Sequence, residues 1–303
     1  MTRGCHGAYG ERVPPTVLPS DLDGCHVLAL PAGADVRSLV VAWFGDGAWE
    51  VLPVGPDPMT ALTVWDERSR AAVWAAPPRP GRLRLTAHAG LVGPRLLGVR
   101  EARAQGLPGR DLDLYALDPE VRDPLVLGWM TAAARRTGGA VVSADRTQVV
   151  VPDAGAAVDL TLWTGTVLSP SDLLTAVRPF LAGSRLGPVA QQESGAYSVT
   201  STFEFDGALT LAVQRRDEVP VAVASLPWGD QGPWAYAVTW APPDPSELTV
   251  EQPSRLHLIA RTRVVPVVAR AARAMLQIAG GIVVDDGGFP VPEDELAARG
   301  TRL

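Results

Sequence analysis

The clearest pattern of apolar and polar positions lies past the middle of the chain. Asp159-Leu-Thr-Leu-Trp163 alternates with period two and reads as a strand. Ser169-Pro170-Ser171-Asp172 follows, with a capping serine, proline at the first helical position and a carboxylate in the first turn. Leu173, Leu174, Val177, Phe180 and Leu181 then recur at helical spacing, and Gly183 offers a stop. The same order occurs near the start. His26 to Leu30 reads as a strand, Pro31-Ala-Gly33 as a turn, and Asp35 as the cap of a helix carrying Val36, Leu39, Val40 and Trp43, with Gly45 as its stop.

The middles also correspond. Met59–Trp65 and Arg70–Ala76 read as one strand pair, and Tyr197–Phe205 and Ala208–Arg215 as another, joined by the hairpin signal Asp206-Gly207. Further strands are expected at Leu83–His88 and Leu96–Ala102, with counterparts at Val219–Leu226 and Trp234–Trp240. At the ends, Asp111–Leu117 leads into a helix begun by Asp123-Pro124, which stops at Gly138-Gly139, and Thr147–Val151 closes the unit. In parallel, Arg255–Ile259 reads as a strand leading into a helix over Val264–Ala279, which stops at Gly280-Gly281, with Phe289–Val291 closing.

The expected fold class is therefore α+β. It is a tandem duplication of a two-layer sandwich, each copy a mainly antiparallel sheet with two helices on one face, the halves related by a pseudo-two-fold axis. The boundaries that follow are a flexible N-terminal segment over 1–19, repeats over 20–152 and 156–291, and an exposed C-terminal tail over 292–303.

Composition mainly removes chemistries. All 27 basic residues are arginine, and the chain contains neither lysine nor asparagine, the mark of a GC-rich bacterial coding sequence. Without lysine there is no P-loop, Schiff-base enzyme, Ser–Lys dyad or kinase lysine, and without asparagine no Cys-His-Asn triad. A net charge of −6 disfavours a nucleic-acid partner, which demands a basic face. Val264–Val284 is interrupted by Arg270 and Arg273, so no membrane span is read there, and Met1–Pro15 has no apolar core of signal-peptide length. A cytoplasmic protein without cofactors is the expectation.

Candidate chemistry is sparse. Cys5-His6 and Cys25-His26 pair thiols with imidazoles, but adjacent residues on a strand point to opposite faces, so an ordinary structural role outranks a metal site. Asp285-Asp286-Gly287-Gly288 reads as a strand-end turn. His88 and His257 fall in expected strands, and no Gly-x-Ser-x-Gly elbow accompanies them. Trp228, Trp234 and Trp240 flank the loop Gly229–Pro233 and are the first candidates for contacting a protein partner. The leading expectation is a non-enzymatic binding or adaptor protein. The alternative is a small-molecule binder or enzyme with its site between the repeats, where Arg135, Arg136, Arg270 and Arg273 hold an anionic ligand.

Overall fold

The computed structural model describes residues 18–55, 79–187, 195–226, 228, 232–250 and 252–301. The expected strands Met59–Trp65 and Arg70–Ala76, together with Cys5 and His6, lie outside the described residues. The chain is mixed α+β, with two antiparallel sheets and, among the described residues, six α-helices. It forms two compact units: 1–34 with 48–152, and 35–47 with 153–303.

In the first unit, β1 (Val27–Pro31), β2 (Ala48–Val51), β3 (Gly81–Thr86), β4 (Ala89–Leu97), β5 (Leu112–Leu117), β6 (Ala140–Val142) and β7 (Val149–Val150) form one sheet. Its order is β2-β3-β4-β5-β1-β6-β7. Val27, Leu28, Ala29 and Leu30 are all fully buried, so both faces of this central strand are covered. Such a strand reads as an unbroken apolar run because neither side meets water. Val27 and Ala29 pack with Leu112, Leu114 and Ala116, and with Ala102 of α2 (Val99–Ala104).

Helix α2 replaces part of the strand expected over Leu96–Ala102. The strand ends at Leu97, and the Glu101 carboxylate then accepts a hydrogen bond from the Gly98 N–H at 3.2 Å, which starts a helix instead. Helix α3 (Pro124–Thr137) starts as the sequence implies, with Asp123 accepting from the Leu125 N–H and Pro124 at the first position. It ends at Gly138 in the left-handed conformation.

Between β6 and β7, the Asp145 carboxylate accepts from the Ser143 hydroxyl and from the Thr147 N–H and hydroxyl. These bonds, that of Ser143 foremost, hold its pKa down to about 2. A carboxylate with a depressed folded pKa contributes stability that is fully present above the unfolded value of about 4. That contribution is lost as pH falls through about 2. Carbon-13 titration of the Asp145 side chain should find its midpoint near 2. In Ser143→Ala it should rise toward the ordinary carboxylate range, and an unmoved midpoint would contradict this account.

The second unit is built on β8 (Leu160–Thr164), β9 (Arg185–Leu186), β10 (Tyr197–Phe203), β11 (Gly207–Arg215), β12 (Trp234–Ala241) and β13 (Ile282–Asp285), in the order β13-β8-β12-β11-β10-β9. Helix α4 (Pro170–Val177) and the long helix α5 (Arg255–Ala279) cover one face. Leu173 and Val177 from α4, and Ala260, Val264, Val268, Ala272 and Met275 from α5, pack on Leu160, Leu162, Val199, Leu211, Tyr236 and Val238. Ser169 caps α4 by accepting from the Asp172 N–H, as its spacing implies. Alternate residues on the opposite face, Trp163, Ala235 and Val284, form a separate cluster with Val223.

Helix α1 (Val36–Phe44), capped by Asp35, belongs to this second unit, where Trp43 packs on Phe289 with ring centroids 5.9 Å apart. The C-terminal helix α6 (Glu293–Thr301) lies on α5, with Leu296 fully buried.

Two more expected strands are something else. Val219–Leu226 contains only a short 3-10 turn over Val221–Val223, placed after Pro220, which has no N–H to offer a sheet. Arg255–Ile259 is the first turn of α5. Ser254 accepts from the His257 N–H at 3.2 Å and so nucleates the helix ahead of the expected start, and α5 continues through Pro266.

Candidate functional site

Three segments of the second unit converge on a groove of about 360 Å³. The turn between β10 and β11 supplies Phe205 and Asp206, the loop after β12 supplies Pro243, Asp244 and Glu247, and the first turns of α5 supply the remaining wall. Each segment is held by local bonding. At the hairpin, Gly207 adopts φ +88°, and a side chain there would run into the Ala241 carbonyl. Asp244 caps the short 3-10 turn Pro245–Leu248 by accepting from the Ser246 N–H and hydroxyl, at 2.9 and 2.7 Å. Glu247 accepts from the Ser254 N–H at 2.7 Å, and Ser254 in turn caps α5, so loop and helix are joined end to end.

Behind the lining lies an aromatic pair. Trp240 is 7% exposed, donates its Nε1–H to the Asp206 carbonyl at 2.7 Å, and lies against His257 with centroids 5.1 Å apart. His257 is itself buried, and its Nδ1 has no hydrogen-bond partner among the described residues. A buried ring nitrogen without a partner is costly, so it marks a place where a donor or acceptor is wanted.

The walls are apolar and open: Leu256 is 78%, Phe205 72% and Ile259 42% exposed. The rim carries Asp206, Asp244 and Glu247 against one guanidinium, that of Arg263, which faces Asp206 at 3.5 Å. Hydrogen bonding from Ser246 lowers the Asp244 pKa, and bonding from Ser254 lowers that of Glu247, so both carboxylates are ionised near neutral pH. Neither has an ion-pair partner among the described residues.

The residues singled out from the sequence are distributed differently. Trp234, at 8% exposure, joins Trp240 in the core beneath α4 and α5, on the face of β12 turned away from solvent. Trp228 is half-buried against the Trp163 and Val223 cluster on the other side of the sheet, and Gly229, Asp230 and Gln231 lie outside the described residues. The three tryptophans therefore do not share one exposed patch, and Trp240 does not line the groove but packs behind His257, which does.

The arginines have structural work. Arg270 donates to the Gly300 carbonyl at 2.9 Å and Arg273 to Glu293 at 3.2 Å, which ties α6 to α5. Arg135 and Arg136 lie in the last turn of α3, where cations favour the helix dipole.

Cys25 is a free, half-buried thiol whose pKa is raised by burial, and burial lowers that of His26. Among the described residues no three His, Cys, Asp or Glu side chains assemble into a metal-ligating group. Asp285 makes the expected turn, its carboxylate accepting from the Gly287 and Phe289 N–H groups at 3.0 and 2.9 Å. His88 is exposed in the β3–β4 turn. No helix among the described residues is long and apolar enough to cross a membrane.

Set beside protein-family models, curated proteins and solved structures, the chain matches none of them.

Proposed function

We propose that the chain is a non-enzymatic binding protein acting through contact with another protein, and that the groove at the start of α5 is its contact face. One observation carries this reading: Phe205, Leu256 and Ile259, all exposed, line a single concavity, and Leu248 beside it is 60% exposed. Scattered apolar residues on a surface need no explanation, but a contiguous apolar patch rimmed by charge is characteristic of an interaction site. The cost of keeping Leu256 and Phe205 in water is not recovered by any packing within the fold. This face takes the place of the tryptophan loop as the preferred contact.

A photo-crosslinking residue placed at Leu256 tests the reading in cells that natively express the protein. We expect one discrete adduct from position 256, lost when Ile259→Glu is added, and none from a control position at the exposed Arg100 of α2. Adducts at both positions alike, or at neither, would sink it.

We also propose that the two units descend from one duplicated ancestor. The order β2-β3-β4-β5-β1-β6 matches β9-β10-β11-β12-β8-β13, each with a helix before its last strand. A glycine pair marks the same place in both. A side chain at Gly139 would strike the Ala29 carbonyl on β1, and one at Gly281 the Trp163 carbonyl on β8. This correspondence pairs β3 and β4 with β10 and β11, a different alignment from the one the sequence alone suggests.

A further inference from the structure

We infer that the groove recognises a segment of a partner protein in which an aliphatic or aromatic side chain stands next to an arginine or lysine, an inference that rests on the groove being the contact face. The apolar half of this preference comes from the walls. Leu256, Ile259 and Phe205 leave room for a side chain over the His257 ring, which Trp240 backs from below.

The basic half comes from charge. The one guanidinium of the lining, Arg263, already faces Asp206, whereas Asp244 and Glu247 are ionised and make no ion pair with an arginine among the described residues. Both are held in place by bonds to backbone N–H groups, so they present fixed negative charge at the mouth of the groove without further ordering cost. An acidic segment would meet that charge as repulsion.

His257 points the same way. In the tautomer that carries its proton on Nε2, the buried and partnerless Nδ1 is an acceptor. A guanidinium, ammonium or indole N–H can then satisfy it.

Fluorescence anisotropy on the full chain tests this with three short labelled peptides that share a Leu-Trp-Leu centre and differ only in flanks of arginine, glutamate or serine. The arginine peptide should bind about tenfold tighter than the glutamate peptide at low salt. That gap should close in about 1 M salt, where screening acts within roughly 3 Å. Asp244→Asn with Glu247→Gln keeps both hydrogen-bond acceptors and should erase the gap between the arginine and glutamate peptides. Equal binding of all three peptides would overturn the proposed occupant yet leave the contact face standing. Binding by none of them, or binding that Leu256→Glu does not disturb, would overturn the contact face as well.

Discussion

Replacing Gly281 by alanine should destabilise the protein by about 3 kcal/mol or more. Two effects coincide at this position. Gly281 adopts φ +105°, which side-chain-bearing residues rarely adopt, and its added Cβ would overlap the Trp163 carbonyl. That carbonyl belongs to the pairing of β8 with β13, in register from Ile282 opposite Trp163 to Asp285 opposite Leu160. The overlap is with backbone, so relief requires moving a strand rather than rotating a side chain.

Neighbouring glycines separate the two effects. Gly280 also has positive φ, at +66°, but a Cβ there meets nothing within 4 Å, so Gly280→Ala should cost only the strain, about 1–3 kcal/mol. Gly139 lacks the positive φ and has only the overlap with Ala29. Gly138, at φ +70°, has open space apart from the distant Arg110 guanidinium, 3.8 Å away. Urea unfolding midpoints should therefore rank Gly281→Ala lowest, below both Gly280→Ala and Gly139→Ala. A midpoint for Gly281→Ala no lower than that for Gly280→Ala would mean that strand and helix end can separate without loss.

Those glycine pairs were legible because two glycines before a β-branched run have few other uses. Caps were legible too. Ser169, Asp35 and Asp123 each accept the backbone N–H that their spacing implies, because capping is a local bond that a short window of sequence contains. Leu256-His257-Leu258 misled for the same local reason. It alternates like a strand, yet in α5 the histidine faces inward while Leu256 is 78% exposed. Apolar side chains turned outward on a helix defeat a reading that assumes apolar means buried.

Helix α2 follows Gly98 with the helix-favouring run Arg100-Glu101-Ala102, a local signal against a strand there, whereas the turn over Val221–Val223 lies in a run of good strand propensity that Pro220 interrupts. The groove left no linear trace. Residues 205–206, 243–247 and 254–263 meet only after the β10–β11 turn and the start of α5 converge on β12, so no spacing rule connects them. One local signal was present in retrospect: a phenylalanine beside the Asp206-Gly207 turn, where a soluble hairpin would ordinarily place a polar residue.

Trp240 and Leu256 should separate stability from binding in opposite directions. Trp240→Ala removes a side chain only 7% exposed, packed among Leu209, Val238 and Ala260, and should cost about 3–5 kcal/mol. Trp240→Phe keeps most of the apolar volume but leaves the Asp206 carbonyl without its Nε1–H donor, for a loss nearer 1 kcal/mol. Leu256→Glu alters an exposed side chain in the first turn of α5, where an acidic residue suits the helix dipole, and should shift stability by no more than about 0.5 kcal/mol. Binding of the arginine-flanked peptide should follow the other order. It should be lost in Leu256→Glu, which removes the wall, and kept in Trp240→Phe, which preserves an aromatic ring behind His257. Urea melts and anisotropy on the same three variants decide the matter. Were Trp240→Ala to unfold at the wild-type midpoint while losing peptide affinity, the indole would be a contact residue rather than a core one. The burial-based assignment of wall and backing would then have to be reversed.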